Sequence, residues 1–229
     1  MLKKRLTALK NQLREMADLC RKMVEDSIHA LENRDAELAR RISKDDEVTV
    51  NQMETWNLEE AVRVIALFQP NSKDLRKLVS AILTNRDLER VGDHAENIAD
   101  HAAYITDRPE TAIPEELKEL AGRALNQLEE ALTANDDGDE ELARRVIVDD
   151  LELNRMTGAV IEELQTSMNN NCTDPACSKE PWMRLILVAR HLERIGDHAT
   201  NIAESVLFVV ESHLHLHRKH DIARELNNN

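Results

Sequence analysis

The stretch RDLERVGDHAENIAD, residues 86–100, returns almost unchanged as RHLERIGDHATNIAE at residues 190–204. The two copies differ only at their second, sixth, eleventh and fifteenth positions. Each reads as a helix, yet each has a glycine in its interior, Gly92 and Gly196, and such a glycine costs about 1 kcal/mol relative to alanine. The pentapeptide ELARR, at residues 37–41 and 141–145, recurs at the same spacing of 104 residues. The chain therefore contains an internal repeat.

The composition is typical of long helices. The chain has 229 residues, of which 32% are charged and only 2% aromatic, with five glycines and five prolines. Apolar residues recur at helical spacing in six segments, at about residues 4–33, 36–67, 73–106, 114–135, 139–168 and 180–215. We predict an all-α fold of two tandem three-helix bundles, packed end to end or side by side. The first repeat spans residues 1–108 and the second 109–229.

Charge and hydropathy exclude several classes of protein. The net charge of −14 argues against nucleic-acid binding, which depends on Lys and Arg neutralising phosphates. The sequence has no apolar run of about 18 residues and no signal-peptide pattern, so we expect a cytoplasmic protein. Cys20, Cys172 and Cys177 have no zinc-site spacing and are expected to be reduced thiols.

Carboxylates form a matching row on the third helix of each repeat. Glu89 and Asp93 are four residues apart, which places them on one helix face, and Glu193 and Asp197 repeat the step. Like charges at this spacing repel each other unless a cation lies between them. A hard cation with oxygen ligands would convert that repulsion into binding.

The second helix of each repeat offers ligands that would face these rows across a groove. Glu47 with Asn51 and Asp150 with Asn154 each form a four-residue step. These pairs are 103 residues apart rather than 104, so Asp45 or Asp46 is an alternative to Glu47. The sequence thus predicts one oxygen-rich site in each bundle.

Other polar features are less informative. His94 and His198 follow the aspartates directly and are rotated about 100° from them on a helix, so they need not share the site. The segment containing His213, His217 and His220 would bind a transition metal only adventitiously.

Two interpretations of the interior glycines remain. The missing side chain allows a ligand or partner to approach the backbone, or it allows two helices of the chain to pack closely. On the first reading, leucine at Gly92 or Gly196 would abolish function and preserve helical content.

The doubled motif, LERVGDHAENIAD and LERIGDHATNIAE, together with the break FQPNSKDLR at residues 68–76, resembles the PhoU family of accessory regulators of bacterial phosphate-specific transport. The resemblance covers nearly the whole chain. It implies a cytoplasmic, all-helical homodimer without catalytic activity that represses phosphate uptake and the phosphate-starvation response. It also implies an adaptor between the ATPase of the phosphate ABC transporter and a sensor histidine kinase, peripheral to the membrane only through these partners.

Some family members carry multinuclear iron or zinc clusters on their acidic faces. Carried over to this sequence, the ligands are Glu47, Asn51, Glu89, Asp93, Asp150, Asn154, Glu193 and Asp197. Asn51 and Asn154 stand where many members have aspartate, which removes negative charge and lowers the expected affinity for a cluster, so another divalent cation is an alternative. The rival function is a helical-bundle metalloenzyme with hydrolytic or redox chemistry at the acidic faces. The sequence disfavours it, because no nucleophile–base pair and no glycine-rich phosphate loop is evident.

Overall fold

The computed structural model describes residues 1–108, 111–172 and 178–211, which contain helices and connecting turns and no strand. The first bundle comprises α1 (Leu2–Asn33), α2 (Ala36–Arg41), a π-helical turn (Ile42–Asp46), α3 (Glu47–Phe68) and α4 (Ser72–Thr106). The second comprises α5 (Glu115–Asp137), α6 (Glu140–Asn171) and α7 (Glu180–Glu211). Since α2, the π turn and α3 form one continuous helix, the prediction of six long helices in two three-helix bundles is confirmed.

Local capping explains where the helices begin and end. Side-chain oxygens of Asp35, Asn71 and Asp139 accept hydrogen bonds from backbone N–H groups in the first turns of α2, α4 and α6. Left-handed residues end α1, α3 and α5, and the last of them is Gly138. The histidines at 213, 217 and 220 lie outside the described residues.

The two bundles lie side by side. The long helix α4 packs along α7, and α1 also contacts α5. The core between these helices is almost entirely aliphatic, as the low aromatic content requires. The connection between bundles runs from Thr106 to Glu115, and the predicted division at residue 108 stays a prediction.

The π turn accounts for the one-residue slip between the repeats. Val50 of α3 faces Gly92, and Leu153 of α6 faces Gly196. These apolar residues are 103 positions apart, whereas the glycines are 104 apart. A π turn bonds residue i to i+5, so it holds one residue more than an α turn, as in the bond from the Glu47 N–H to the Ile42 carbonyl. Glu47 and Asn51 therefore correspond to Asp150 and Asn154.

Both interior glycines are helix–helix contact points. A Cβ added at Gly196 would lie 2.2 Å from Leu153 Cδ2 and 3.2 Å from Gln127 Oε1. At Gly92 the nearest atom is Val50 Cγ1, at 3.2 Å. At Gly196 even a methyl group would overlap a fully buried side chain, so close packing opposes leucine there. The expected retention of helical content stays a prediction.

One cysteine departs from the expectation of reduced thiols. Cys172 takes part in a disulfide bond. Among the described residues Cys20 is the free cysteine, and it is buried. Cys177 lies outside the described residues. No role in the functional site follows from these positions.

Candidate functional site

Three carboxylates converge between α3 and α4 of the first bundle. Glu47, Asp93 and Glu96 each place one carboxylate oxygen within 4.8 Å of the others. Glu47 begins α3 directly after the π turn, while Asp93 and Glu96 are three residues apart on one face of α4. In the described part of the chain this is the one group of three possible metal-ligating side chains. We call these three residues the acidic cluster.

The acidic cluster is electrostatically strained. Burial raises the pKa of Glu96 above its ordinary value, and Glu47, Asp100 and Asp93 raise it further. Burial and then the charge of Asp93 likewise raise the pKa of Glu89, one turn earlier on α4. In both groups burial and neighbouring carboxylates disfavour the charged form, and a nearby positive charge would offset this effect.

Neighbouring side chains supply part of that compensation. Arg90 lies 3.0 Å from Asp93 Oδ2 and 3.3 Å from Glu89 Oε2, and the Asn51 amide donates a hydrogen bond to Glu47. Arg90 is half exposed, so a cation can displace it from Asp93 at modest cost. The three cluster ligands are carboxylates, a donor set that fits a hard divalent cation such as Mg²⁺ or Mn²⁺.

The corresponding residues of the second bundle are arranged differently. Asp150 is fully buried, and its two oxygens accept hydrogen bonds from Asn154 Nδ2 at 2.9 Å and Gln127 Nε2 at 3.2 Å. Glu193 pairs with Arg190 at 2.8 Å and Asp197 with Arg194 at 3.3 Å.

Within the described residues, the structure does not gather Asp150, Asn154, Glu193 and Asp197 into a group like the acidic cluster. A metal site in the second bundle therefore stays a prediction.

Of the predicted ligands in the first bundle, the structure brings Glu47 and Asp93 together. Asn51 is bonded to Glu47, and Glu89 lies outside the cluster. Asp46 pairs instead with Arg41, so it does not take the place of Glu47.

The sequence analysis missed two residues that contact the predicted ligands. Glu96 completes the acidic cluster, and Gln127 bonds the buried Asp150. Glu96 is one of the four positions at which the two copies of the motif differ, since Thr200 replaces it in the second. Attention to the differences between the copies would have found it, whereas the search for shared residues passed over it.

The motif histidines lie in the contact between α4 and α7 rather than in the acidic cluster. His94 Nδ1 is 3.1 Å from His191 Nδ1, and His198 Nδ1 is 2.8 Å from Asp87 Oδ1. Burial, followed by the neighbouring His198 and His191, lowers the pKa of His94 to about 4. The histidines thus join the bundles, in agreement with the prediction that they need not share the acidic site.

The PhoU domain family matches the chain twice, over residues 13–102 and 117–206. The chain belongs to the PhoU family. A relative from Rhizobium meliloti, the phosphate-specific transport system accessory protein PhoU homolog, is 35% identical over 208 residues, covering 89% of this chain and 84% of that protein. The Pseudomonas aeruginosa protein of the same name is 34% identical over 206 residues, covering 90% of this chain and 83% of its own.

Solved PhoU structures share the fold. The crystal structure of PhoU from Pseudomonas aeruginosa matches with a TM-score of 0.87 and 33% identity, covering 93% of this chain and 100% of that one. The phosphate transport system regulatory protein PhoU from Streptococcus pneumoniae matches with a TM-score of 0.85 at 23% identity, covering 93% of this chain and 99% of that one, and shows the fold alone. None of the described helices combines the length and the hydropathy needed to cross a membrane.

Proposed function

We propose that this chain is a negative regulator of phosphate uptake and of the phosphate-starvation response. In this role it is a cytoplasmic adaptor that contacts the ATPase of the phosphate ABC transporter and the sensor histidine kinase, and it reaches the membrane through them. The observation that carries the proposal is the match of both repeats, along about nine-tenths of the chain, to relatives named phosphate-specific transport system accessory proteins.

The proposed role requires binding and no catalysis. In this proposal the binding chemistry lies in the acidic cluster, which serves as a ligand-binding face. The rival metalloenzyme would need a nucleophile or a redox centre at the same carboxylates. Assays of the purified protein for phosphatase activity and oxygen consumption, with Mn²⁺ or Fe²⁺ present, separate the two functions. Turnover that disappears in Glu96→Gln would favour the enzyme.

The resident cation in this proposal is one divalent ion held by Glu47, Asp93 and Glu96. Each carboxylate supplies charge. The ion offsets the burial and the neighbouring negative charges that together raise the pKa of Glu96. Iron in an all-oxygen site fits this donor set better than zinc, which more often takes thiolate and imidazole ligands. A multinuclear cluster needs more ligands than the three residues provide.

The proposed regulator works as a homodimer. The support is that α3 exposes several large apolar side chains. Monomeric soluble proteins rarely expose large apolar patches. A dimer would present two acidic clusters to its partners.

Regulation is tested in a bacterium that lacks its own family member and carries a reporter of the phosphate-starvation response. The wild-type chain is expected to restore repression in phosphate-rich medium, because it connects transporter and kinase. Co-purification with the tagged chain then reports whether the transporter ATPase and the kinase are bound. Normal expression with neither repression nor either partner would overturn the regulatory role.

A further inference from the structure

A cavity of about 490 Å³ lies between the two bundles and is bounded by α1, α4, α5 and α7. This volume is within the range of about 300–1,000 Å³ that is typical of small-molecule sites. None of the three residues of the acidic cluster lines it, so it is separate from the candidate metal site. We call it the inter-bundle cavity.

The internal repeat supplies a matched comparison for this cavity. A second cavity, of about 10 Å³, is bounded mainly by α1, α5 and α7. At the spacing of 104 residues, all nine of its described lining residues correspond to residues that line the inter-bundle cavity. Leu9 and Ile113 are one such pair, and Leu88 and Leu192 are another. Packing closes this space in one repeat almost to the volume of a single water molecule. The fold therefore does not require the large cavity.

Side chains that differ between α4 and α7 contribute to the contrast. Ala81 in the wall of the inter-bundle cavity corresponds to Leu185, which is fully buried. Thr84 in the same wall corresponds to Val188. The first repeat thus has a smaller side chain at one position and a hydroxyl group at the other, and both differences favour a ligand.

The hydroxyl group of Thr84 has no partner. The residue is 2% exposed, and its Oγ1 makes no hydrogen bond in the described part of the structure. A threonine hydroxyl in a helix commonly bonds to the carbonyl four residues earlier, as Thr106 does with Ala102 at 2.9 Å. Because a buried hydroxyl without a partner is costly, an oxygen atom of a ligand in the cavity would relieve an existing penalty.

The charged side chains around the cavity balance one another. The described lining contains three cations and three carboxylates: Lys10, Arg14, Lys77, Asp18, Asp136 and Asp137. Arg14 Nη2 lies 2.6 Å from Asp136 Oδ2, and Lys10 Nζ donates to the Asp136 carbonyl at 2.7 Å. A charged ligand of either sign would meet like charges as well as opposite ones, and its burial among apolar side chains would be costly. The balance favours a neutral ligand.

We propose that the inter-bundle cavity binds a small, neutral and mainly apolar molecule that carries one hydroxyl or carbonyl oxygen. The apolar body contacts leucines and valines of the wall, such as Leu13 of α1 and Val206 of α7, and the oxygen accepts a hydrogen bond from Thr84. Such a ligand contacts both bundles at once. This binding goes beyond the proposed regulatory role and does not depend on it.

Equilibrium dialysis of the full chain against three naphthalene compounds tests the class of ligand. Naphthalenemethanol carries the hydroxyl group, methylnaphthalene lacks it, and naphthoate is charged, with each substituent at the same ring position. The wild-type chain is expected to bind one molecule of either neutral compound and to bind naphthoate about tenfold or more weakly. Absence of naphthalenemethanol binding, or tighter binding of naphthoate, would overturn the proposal.

Ala81→Leu tests the location, since it introduces the residue of the second repeat and occupies cavity volume. The affinity for both neutral compounds should fall about tenfold or more. Ala66→Leu, at an exposed position of α3, is the matched control and should leave binding unchanged. Circular dichroism and thermal unfolding check that both variants are folded. Undiminished binding in Ala81→Leu would place the compounds elsewhere and overturn the site.

Thr84→Val tests the polar contact, because valine has nearly the shape of threonine and occurs at the corresponding position of α7. Naphthalenemethanol should bind about fivefold more weakly, which corresponds to one net hydrogen bond, and methylnaphthalene should bind no more weakly than to wild type. Thr55→Val, at an exposed position of α3, is the control. The ligand-free Thr84→Val variant should be at least as stable as wild type, because it lacks the unpartnered hydroxyl. Equal losses for the two compounds, or no loss for naphthalenemethanol, would overturn the proposed ligand class.

Discussion

Glu47 and Asp150 occupy the same place in the two repeats, yet their surroundings differ. Glu47 is half-buried and joins Asp93 and Glu96, whereas Asp150 is fully buried and accepts hydrogen bonds from Gln127 and Asn154. One bundle keeps three carboxylates half-buried beside one another, and the other holds a single carboxylate within a buried group of hydrogen-bonded side chains. The comparison shows that a duplicated motif does not by itself give the same arrangement of side chains in both copies.

The glycines give the largest expected difference between the bundles. Gly196→Ala should lower the free energy of unfolding by about 1–3 kcal/mol, because the new methyl group overlaps the buried Leu153. Gly92→Ala should be close to neutral, since a gain in helix propensity of about 1 kcal/mol offsets a slightly tight contact with Val50. Urea denaturation of both variants provides the measurement. Equal losses would show that the two helix contacts are equally close.

The next largest effect is expected when Glu96 is replaced by threonine, the residue at the corresponding position of the second repeat. Glu96→Thr makes the acidic cluster resemble the second row, and its affinity for Mn²⁺ should fall about tenfold or more, since ligand charge sets affinity. Isothermal titration calorimetry measures the change. Glu193→Gln is the control and should leave the binding constant unchanged. An unaltered affinity in Glu96→Thr would remove this residue from the cation site.

A smaller difference between the two repeats concerns the pH dependence of stability. His101 of the first repeat corresponds to Ser205 of the second, which does not titrate. Burial, followed by His191 and Arg184, lowers the pKa of His101 from 6.5 to about 4, while the adjacent Asp100 opposes the shift. Between these two values the unfolded chain binds the proton and the folded chain does not. Stability should therefore fall as the pH drops from about 6.5 to about 4, and level off below.

His101→Ser should reduce the slope of the unfolding free energy against pH between these values. The reduction should be at most the contribution of one proton. Replacement of the exposed His29 by serine is the matched control and should preserve the wild-type slope. Denaturation series at several pH values provide the measurement. A slope that His101→Ser leaves unchanged would show that this histidine is protonated in the fold.

The smallest expected effect is a gain in stability. Glu96→Gln removes one of the mutually repelling charges and should stabilise the metal-free protein by about 0.2–0.5 kcal/mol at neutral pH. The sign follows from the pKa of Glu96, which is raised in the folded state, so ionisation of Glu96 opposes folding. Thermal unfolding with a chelator present measures the gain. A loss of stability would mean that Glu96 makes a favourable contact without any cation.

The sequence predicted the fold well because the repeat, the helical periodicity and the capping residues all indicate the same helices. It predicted Glu47 and Asp93 of the acidic cluster from their four-residue steps, and the equivalent site that it predicted in the second bundle stays a prediction. Burial of Asp150 depends on Gln127, which comes from a different helix and corresponds to the apolar Met23 in the first repeat. Such a contact between helices leaves no signature in the spacing along one of them.

The number of Mn²⁺ ions bound per chain tests the difference between the bundles most directly. Titration of the metal-free protein, followed by the loss of the free Mn²⁺ electron paramagnetic resonance signal, counts the tight sites. The account predicts one site per chain, abolished in Glu96→Thr and retained in Asp197→Asn. Two equivalent sites per chain, of which Asp197→Asn removes one, would contradict it.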